Sequence, residues 1–362
     1  MALRVRGDGV PFVKLRFTAA ITVFLLGWGC STAPKAAVTP RPWQKITSKA
    51  YYQTSSSEFG KRIIVRVWPD KGAKMPAKDA AKEALAEIRR ISTMADAGQS
   101  TSLLSKVNEQ AYQGPVPITQ EFLDILSTSD RMYQFTEGKF DVTFVPVKYG
   151  SEESDMDLNK VTDWDEQPAL SPDPSRFFGK KGVIIDRNPL VIRVYNRRTK
   201  INLNGMIRGY AIERAAKLLQ EKGHAGFAII ADGFLAASGV ALKDPGIMCI
   251  EDPARLGNCL KSIQAGKETS ILFLGTSASL ERKGINFDPT AVWSSRSGGV
   301  VVAGREGAWV QFATTITAVM DDANLVDFFS KASKFGVSGA YFTPSKKDGL
   351  AGDLAPFATI AP

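Results

Sequence analysis

The sequence predicts an α+β fold, and three observations lead to it. Short β-branched runs, residues 63–68 among them, alternate apolar and polar positions as half-buried strands do. Longer stretches, residues 76–94 above all, place apolar residues three and four apart, as an amphipathic helix does. The two kinds of segment mix without the regular strand–helix–strand period of a parallel sheet. The 362 residues fit one large domain or two intimate lobes, and no internal repeat divides them.

Along the chain, residues 51–68 read as strand. In 76–94, Ala80, Ala84, Leu85, Ile88 and Ile91 share one helical face. Residues 118–135 read as a second amphipathic helix, opening on Thr119-Gln120-Glu121 and stopping near Gly138. Residues 140–147 are a short apolar segment, and 151–174, acidic and polar, an exposed loop. Residues 182–186 and 190–195, parted by Arg187-Asn188-Pro189, predict a hairpin, and a further strand ends near Leu203. Residues 207–222 have helical spacing with Gly223 beyond them as the C-terminal stop. Strand candidates follow at 227–230, 246–251, 270–274 and 299–303. Residues 309–320 are an apolar helix or a buried strand, 324–335 a final helix and 337–342 a final strand.

A hydrophobic share of 44% with 23% charged residues is globular composition and excludes a disordered chain or a coiled coil. The net charge of +9 is spread without a Lys/Arg tract, so no nucleic acid is expected as partner; an anionic ligand or membrane surface suits it. Residues 1–29 read as a signal peptide: Arg4, Arg6, Lys14 and Arg16 precede an apolar stretch, 17–28, too short to span a bilayer. The small residue before Cys30 resembles a bacterial lipobox, and acylation of Cys30 would anchor the chain on the periplasmic side of the cell envelope. A plain cleaved signal or an uncleaved anchor remain the alternatives. Residues 30–50, rich in Pro, Ala and Thr, read as a tether, 51–345 as the domain, and 346–362 as a tail. Cys249 and Cys259 remain: in an exported protein they read as a disulfide, or as two buried thiols, and their spacing is wrong for a CxxC site.

No P-loop, Rossmann glycine fingerprint or nucleophile elbow occurs. The single histidine, His224, follows Gly223 at a helix end and reads as a surface residue, which excludes Ser-His-Asp chemistry and a His-rich metal site. What remains is INLNGMIRGYAIERA, residues 201–215: a strand entering Asn204-Gly205, then a helix from near Met206. Free N–H groups at a helix start attract phosphate, and Arg208 in the first turn adds a fixed positive charge. An ordinary strand–turn–helix with a solvated arginine is the bland alternative.

This segment resembles a block of the FAD:protein FMN transferase family (ApbE-type), close to DLGGIAKGYAVDRA. Five further blocks follow the family's order. SLLSKVN (102–108) is similar to SEISRLN, and Gly138-Lys139-Phe140-Asp141-Val142-Thr143 to GAFDVT. ADGFLAASG (231–239) resembles GGDI.A.G, Thr276-Ser277 a TSG element, and Ile285-Asn286-Phe287-Asp288-Pro289 the family's HIIDP. The resemblance implies a single large ApbE-like domain of mixed sheets and helices. It implies FAD as substrate, magnesium, and transfer of FMN to a Thr or Ser of an acceptor flavoprotein with AMP leaving. It puts FAD against Phe59, Gly60, Lys139, Phe140, Asp141, Asn202, Arg208 and Phe287, and the metal against the Gly205 carbonyl and the Thr314 hydroxyl.

The chain departs from the pattern at five places, one of them the aromatic expected before residues 102–108, which is missing near Gly98. The family's Asp is Asn202, its Lys is Arg208 and its His is Asn286, which makes Arg208 and Asn286 the catalytic positions. Its metal-binding ADALATA element falls on residues 309–315, with Val310 where the carboxylate stands; an alternative register would use Asp321 or Asp322. The readings are an FMN transferase, a catalytically reduced FAD- or nucleotide-binding envelope lipoprotein, and a structural lipoprotein without ligand.

Overall fold

The computed structural model describes residues 50–144, 177–178, 182–195, 199–231, 233–244, 247–251, 259–262, 270–279, 298–317, 320, 322–342 and 355–356. They fall in one unit, Arg41–Pro362. In order come β1 (Tyr52–Glu58), β2 (Lys61–Val67), α1 (Ala77–Met94), α2 (Leu103–Gln110), β3 (Val116–Pro117), α3 (Gln120–Phe135) and β4 (Thr143–Phe144). Next are β5 (Phe177–Phe178), β6 (Val183–Arg187), β7 (Leu190–Val194), β8 (Lys200–Ile201), α4 (Ile207–Glu221), β9 (Phe227–Ala231) and β10 (Phe234–Ser238). The chain continues through β11 (Cys249–Glu251), β12 (Cys259–Ser262), β13 (Ile271–Ser279), β14 (Gly298–Gly304), α5 (Gly307–Thr317), α6 (Asp322–Ala332), β15 (Val337–Phe342) and β16 (Ala355–Pro356).

The main sheet has the order β1-β2-β9-β10-β13-β14-β15-β16, and its described pairings are antiparallel. Alternation along each strand builds two cores. Ile63, Val65 and Val67 of β2 and Phe227 and Ile229 of β9 join α1 and α4 in the larger one, while Ala228, Leu235, Ala237, Leu272 and Leu274 join Trp68 on the opposite face. Every residue of β10 is buried, as a central strand covered on both faces requires. Helix α1 lays Ala77, Ala80, Ala81 and Ala84 inward, and α4 offers Ala211, Ala215 and Ala216; small residues let the two helices approach.

The α+β expectation holds, with the helices gathered on an antiparallel sheet. The 182–195 hairpin, the helices of 76–94, 118–135 and 207–222 and the 337–342 strand stand where the periodicity put them. Residues 307–317 are helix, not strand, because their apolar positions wrap around all sides of a buried helix. The spacing missed α2, whose Ser102 side chain caps it by accepting from Ser105 N–H at 2.9 Å, and β10, which lies within ADGFLAASG and gave no strand signal. The 151–174 loop lies outside the described residues.

His224 corrects the expectation of a surface histidine. It is 1% exposed, and its ring Nε2 lies 3.1 Å from the Met75 carbonyl. Gly223, at φ +87°, turns the chain back under residues 72–74, and this carries the ring inward.

Helices α4 and α5 cross with backbone against backbone. A Cβ on Gly209 would run into the Gly307 carbonyl, and one on Gly307 into the Gly209 carbonyl. Gly209→Ala should therefore lower the unfolding free energy by about 2 kcal/mol or more. Gly114→Ala, where a Cβ meets nothing within 4 Å, should stay within about 0.5 kcal/mol of the parent. Urea unfolding of both variants measures the difference.

Candidate functional site

The strand-to-helix turn after β8 is built from its own backbone first. The Leu203 carbonyl accepts the N–H groups of Met206 and Ile207 at 3.0 and 2.9 Å. Asn202 Oδ1 accepts the Asn204 N–H at 2.9 Å, an Asx turn that shapes the corner. The Gly209 N–H donates to Gln311 Oε1. The donors of Met206, Ile207 and Gly209 are thus satisfied within the protein. This corrects the expectation of a row of free N–H groups at the start of α4, because the carbonyl of Leu203 and the amide of Gln311 reach them first.

Three elements clamp the turn. From α2, Asn108 Nδ2 donates to the Ile201 carbonyl at 3.0 Å, and Asn108 Oδ1 accepts the Ile201 N–H at 2.7 Å. The carboxamide thereby takes the place of a strand partner. From the 138–143 segment, the Val142 carbonyl accepts the Asn202 N–H at 2.8 Å, and Thr143 pairs with Ile201 across β4 and β8. Asp141 Oδ1 holds this segment by accepting from Thr143 N–H at 2.8 Å and Thr143 Oγ1 at 2.6 Å. The Phe140 ring lies over Gly205: a Cβ there would come within 2.7 Å of the ring, so the position admits only glycine without repacking. Phe140 is steadied edge-on by Phe312, 4.8 Å between centroids.

The third clamp is α5. Gln311, 7% exposed, donates from Nε2 to the Asn204 carbonyl at 3.0 Å while its Oε1 accepts from Gly209 N–H. The orientation of this amide follows from chemistry, since a backbone N–H can only donate and a carbonyl only accept. One turn on, Thr315 Oγ1 lies 3.3 Å from the Gly205 carbonyl and 2.9 Å from the Gln311 carbonyl. Thr314 faces the other way: its hydroxyl donates to the Val310 carbonyl at 2.7 Å, and its side chain and that of Val310 lie against Gly275 of β13. The Gly205 carbonyl therefore meets Thr315, one residue beyond the Thr314 that the sequence pattern selects. Gln311 and Thr315 were missed. Their signal is a polar pair four apart within an apolar helix, where a buried amide needs partners.

Phe59 and Gly60, at φ +54° and +68°, form the two-residue turn between β1 and β2, and the Phe59 N–H reaches Ser92 Oγ at 3.3 Å. Lys139 is exposed, and Arg208 is half-buried in the first turn of α4. Asn286, Phe287 and Cys30 lie outside the described residues. Cys249 and Cys259 stand on paired strands, where Cys249 is opposite Ser262 and Cys259 opposite Glu251.

Burial governs the titrating groups nearby. It raises Asp130 above the usual carboxylate range, with Asp141 adding repulsion, and raises Tyr133 in the same way. Burial first, and Glu121 second, push Tyr210 up to about 12.

A hard divalent cation asks for several oxygen ligands, some of them anionic. Here the Asn204 carbonyl faces the amide donor of Gln311, the Gly205 carbonyl lies 3.3 Å from a neutral hydroxyl, and Val310, the position of the family's carboxylate, is apolar and packs against Gly275. Among the described residues no three Asp, Glu, His or Cys side chains cluster. This donor set does not fit a divalent metal.

The model of the ApbE family matches residues 59–334. The flavin transferase ApbE from Vibrio cholerae superposes with a TM-score of 0.58 at 15% identity, covering 85% of this chain and 97% of that one. The ApbE protein from Thermotoga maritima gives 0.56 at 16%, covering 81% and 94%. The flavinyl transferase ApbE from Pseudomonas stutzeri, in its apo form, gives 0.58 at 14%, covering 85% and 94%. Among curated proteins none matches.

Two predictions follow from this geometry. Asn108→Ala leaves both Ile201 groups without their partner and should cost about 2 kcal/mol in urea unfolding. Tyr210, with its folded pKa raised, contributes stability that is complete below the ordinary tyrosine value of about 10 and is lost as pH rises towards about 12. The absorbance of phenolate should appear later in Tyr210-containing protein than in Tyr210→Phe by one tyrosine, and the alkaline loss of stability should be smaller in the variant.

Proposed function

The chain belongs to the ApbE family, and on that premise we propose that it binds FAD at the 202–209 turn and transfers FMN to a Ser or Thr of a partner flavoprotein. In this reaction the acceptor oxygen forms an ester bond to the FMN-side phosphorus, the pyrophosphate P–O bond breaks, and AMP leaves with its electron pair. The acceptor's proton passes to water. Displacement of this kind depends on positioning and on charge stabilisation more than on covalent chemistry. Arg208 supplies a permanent positive charge in the first turn of α4, in the planar form that suits phosphate oxygens.

The observation that carries this reading is the clamping of one turn by Asn108, Val142, Gln311 and Thr315, from three separate stretches of chain. So much rigid support for an exposed corner at Asn204 suits a ligand site. The Gln311 amide favours a second reading: FAD bound and not cleaved. The proposal extends to place. The chain is exported and held to the envelope membrane by acylated Cys30, with residues 30–50 as tether.

The test is incubation of the full chain with FAD and a flavoprotein acceptor domain. Flavin fluorescence reports binding, chromatography reports AMP, and mass spectrometry of the acceptor reports FMN esterified to it. AMP release matched by flavinylated acceptor is the expected result. Bound flavin without AMP selects the second reading, and no bound flavin overturns both.

A further inference from the structure

We infer that the cradle takes its flavin dinucleotide without a divalent cation, the Gln311 carboxamide standing in the cation's place. The inference rests on the FAD reading above and concerns how that site is completed. A cation at the corner between α4 and α5 would draw together carbonyl oxygens of the turn and an acid on α5. Gln311 already performs the same tie with a neutral group. Its Nε2 is the positive end that the Asn204 carbonyl requires, at 3.0 Å, and its Oε1 is the negative end that the Gly209 N–H requires. The neighbouring Thr315 hydroxyl has one hydrogen, lies nearer the Gln311 carbonyl at 2.9 Å than the Gly205 carbonyl at 3.3 Å, and brings no negative charge to the corner. A carbonyl that faces a donor hydrogen does not also face a cation on that side.

The chemistry at position 311 distinguishes an amide from an acid. A glutamate there would still accept from Gly209 N–H, but its second oxygen would face the Asn204 carbonyl, oxygen against oxygen. Such a pair repels unless a cation lies between them. Position 311 is nine-tenths buried, so solvent screens the repulsion little. The carboxamide therefore does more than fill space, and an acid at position 311 would create at this corner a metal requirement that the amide removes.

The experiment uses the full chain in detergent, as wild type and as Gln311→Glu. FAD affinity is measured by flavin fluorescence in EDTA and again in magnesium chloride, and melting temperature is measured without flavin in the same two buffers. For wild type the FAD affinity should agree within about twofold between buffers, and magnesium should leave the melting temperature of the flavin-free chain unchanged. Gln311→Glu should melt lower in EDTA and recover with magnesium, its FAD affinity rising about tenfold or more. Wild-type affinity that collapses in EDTA and returns with magnesium overturns the inference. So does saturable stabilisation of the flavin-free wild type by magnesium, or a folded Gln311→Glu chain indifferent to the ion. If Gln311→Glu does not fold, the wild-type comparison decides. Flavin binding absent in both buffers overturns the FAD reading instead, and the flavin-free melting comparison still decides whether a cation belongs at the corner.

Discussion

One buried carboxamide, that of Gln311, ties helix α5 to the turn that starts α4. The tie satisfies one donor and one acceptor of the backbone at a corner where the chain reverses from strand to helix. An unpaired buried donor or acceptor costs about 1–3 kcal/mol, so losing both is a large fraction of a domain's stability. The corner's shape follows from this interaction: Asn204 is turned outward, Gly205 lies beneath the Phe140 ring, and Arg208 stands in the first turn.

The amide reaches its partners because two glycines let the helices touch. Gly209 and Gly307 place the start of α4 against the start of α5, and a methyl group at either would push them apart. Glu213 completes the junction from the next turn of α4: its Oε2 accepts the Ala308 N–H at 3.4 Å, and Lys217 balances its charge. Glu306 beside it is raised by burial first and by Glu213 second. On the other side α5 is pinned by aromatic rings: Trp309 stacks on Phe335 at 4.3 Å, and Phe312 packs against Phe135, Phe140 and Phe328. The turn is thus assembled by tertiary contacts, and α5 positions it more than the turn's own residues do.

The long amphipathic helices and the 182–195 hairpin were legible because local period and turn residues decide them. The short α2 was not: eight residues give too little periodicity, and its start depends on one serine cap. Strand β10 escaped because its Ala and Ser residues have low strand propensity and are held by neighbours on both sides. At the site, Asn202 and Phe140 could be read from motif order, and the structure brings both to the turn. Thr314 and Thr315 could not be told apart. Adjacent residues on a helix point about 100° apart, and the pattern in sequence does not say which face meets the turn. His224 was misjudged for a similar reason, since a helix end looks exposed until the chain beyond it is known to fold back.

The most direct test of a metal-free cradle is anomalous diffraction from crystals of the full chain grown with FAD and excess manganese. Flavin density at the corner with no manganese peak between Gln311, Thr315 and the Gly205 carbonyl is the result expected. A manganese ion seated there, with the Gln311 amide turned away from Asn204, would contradict it.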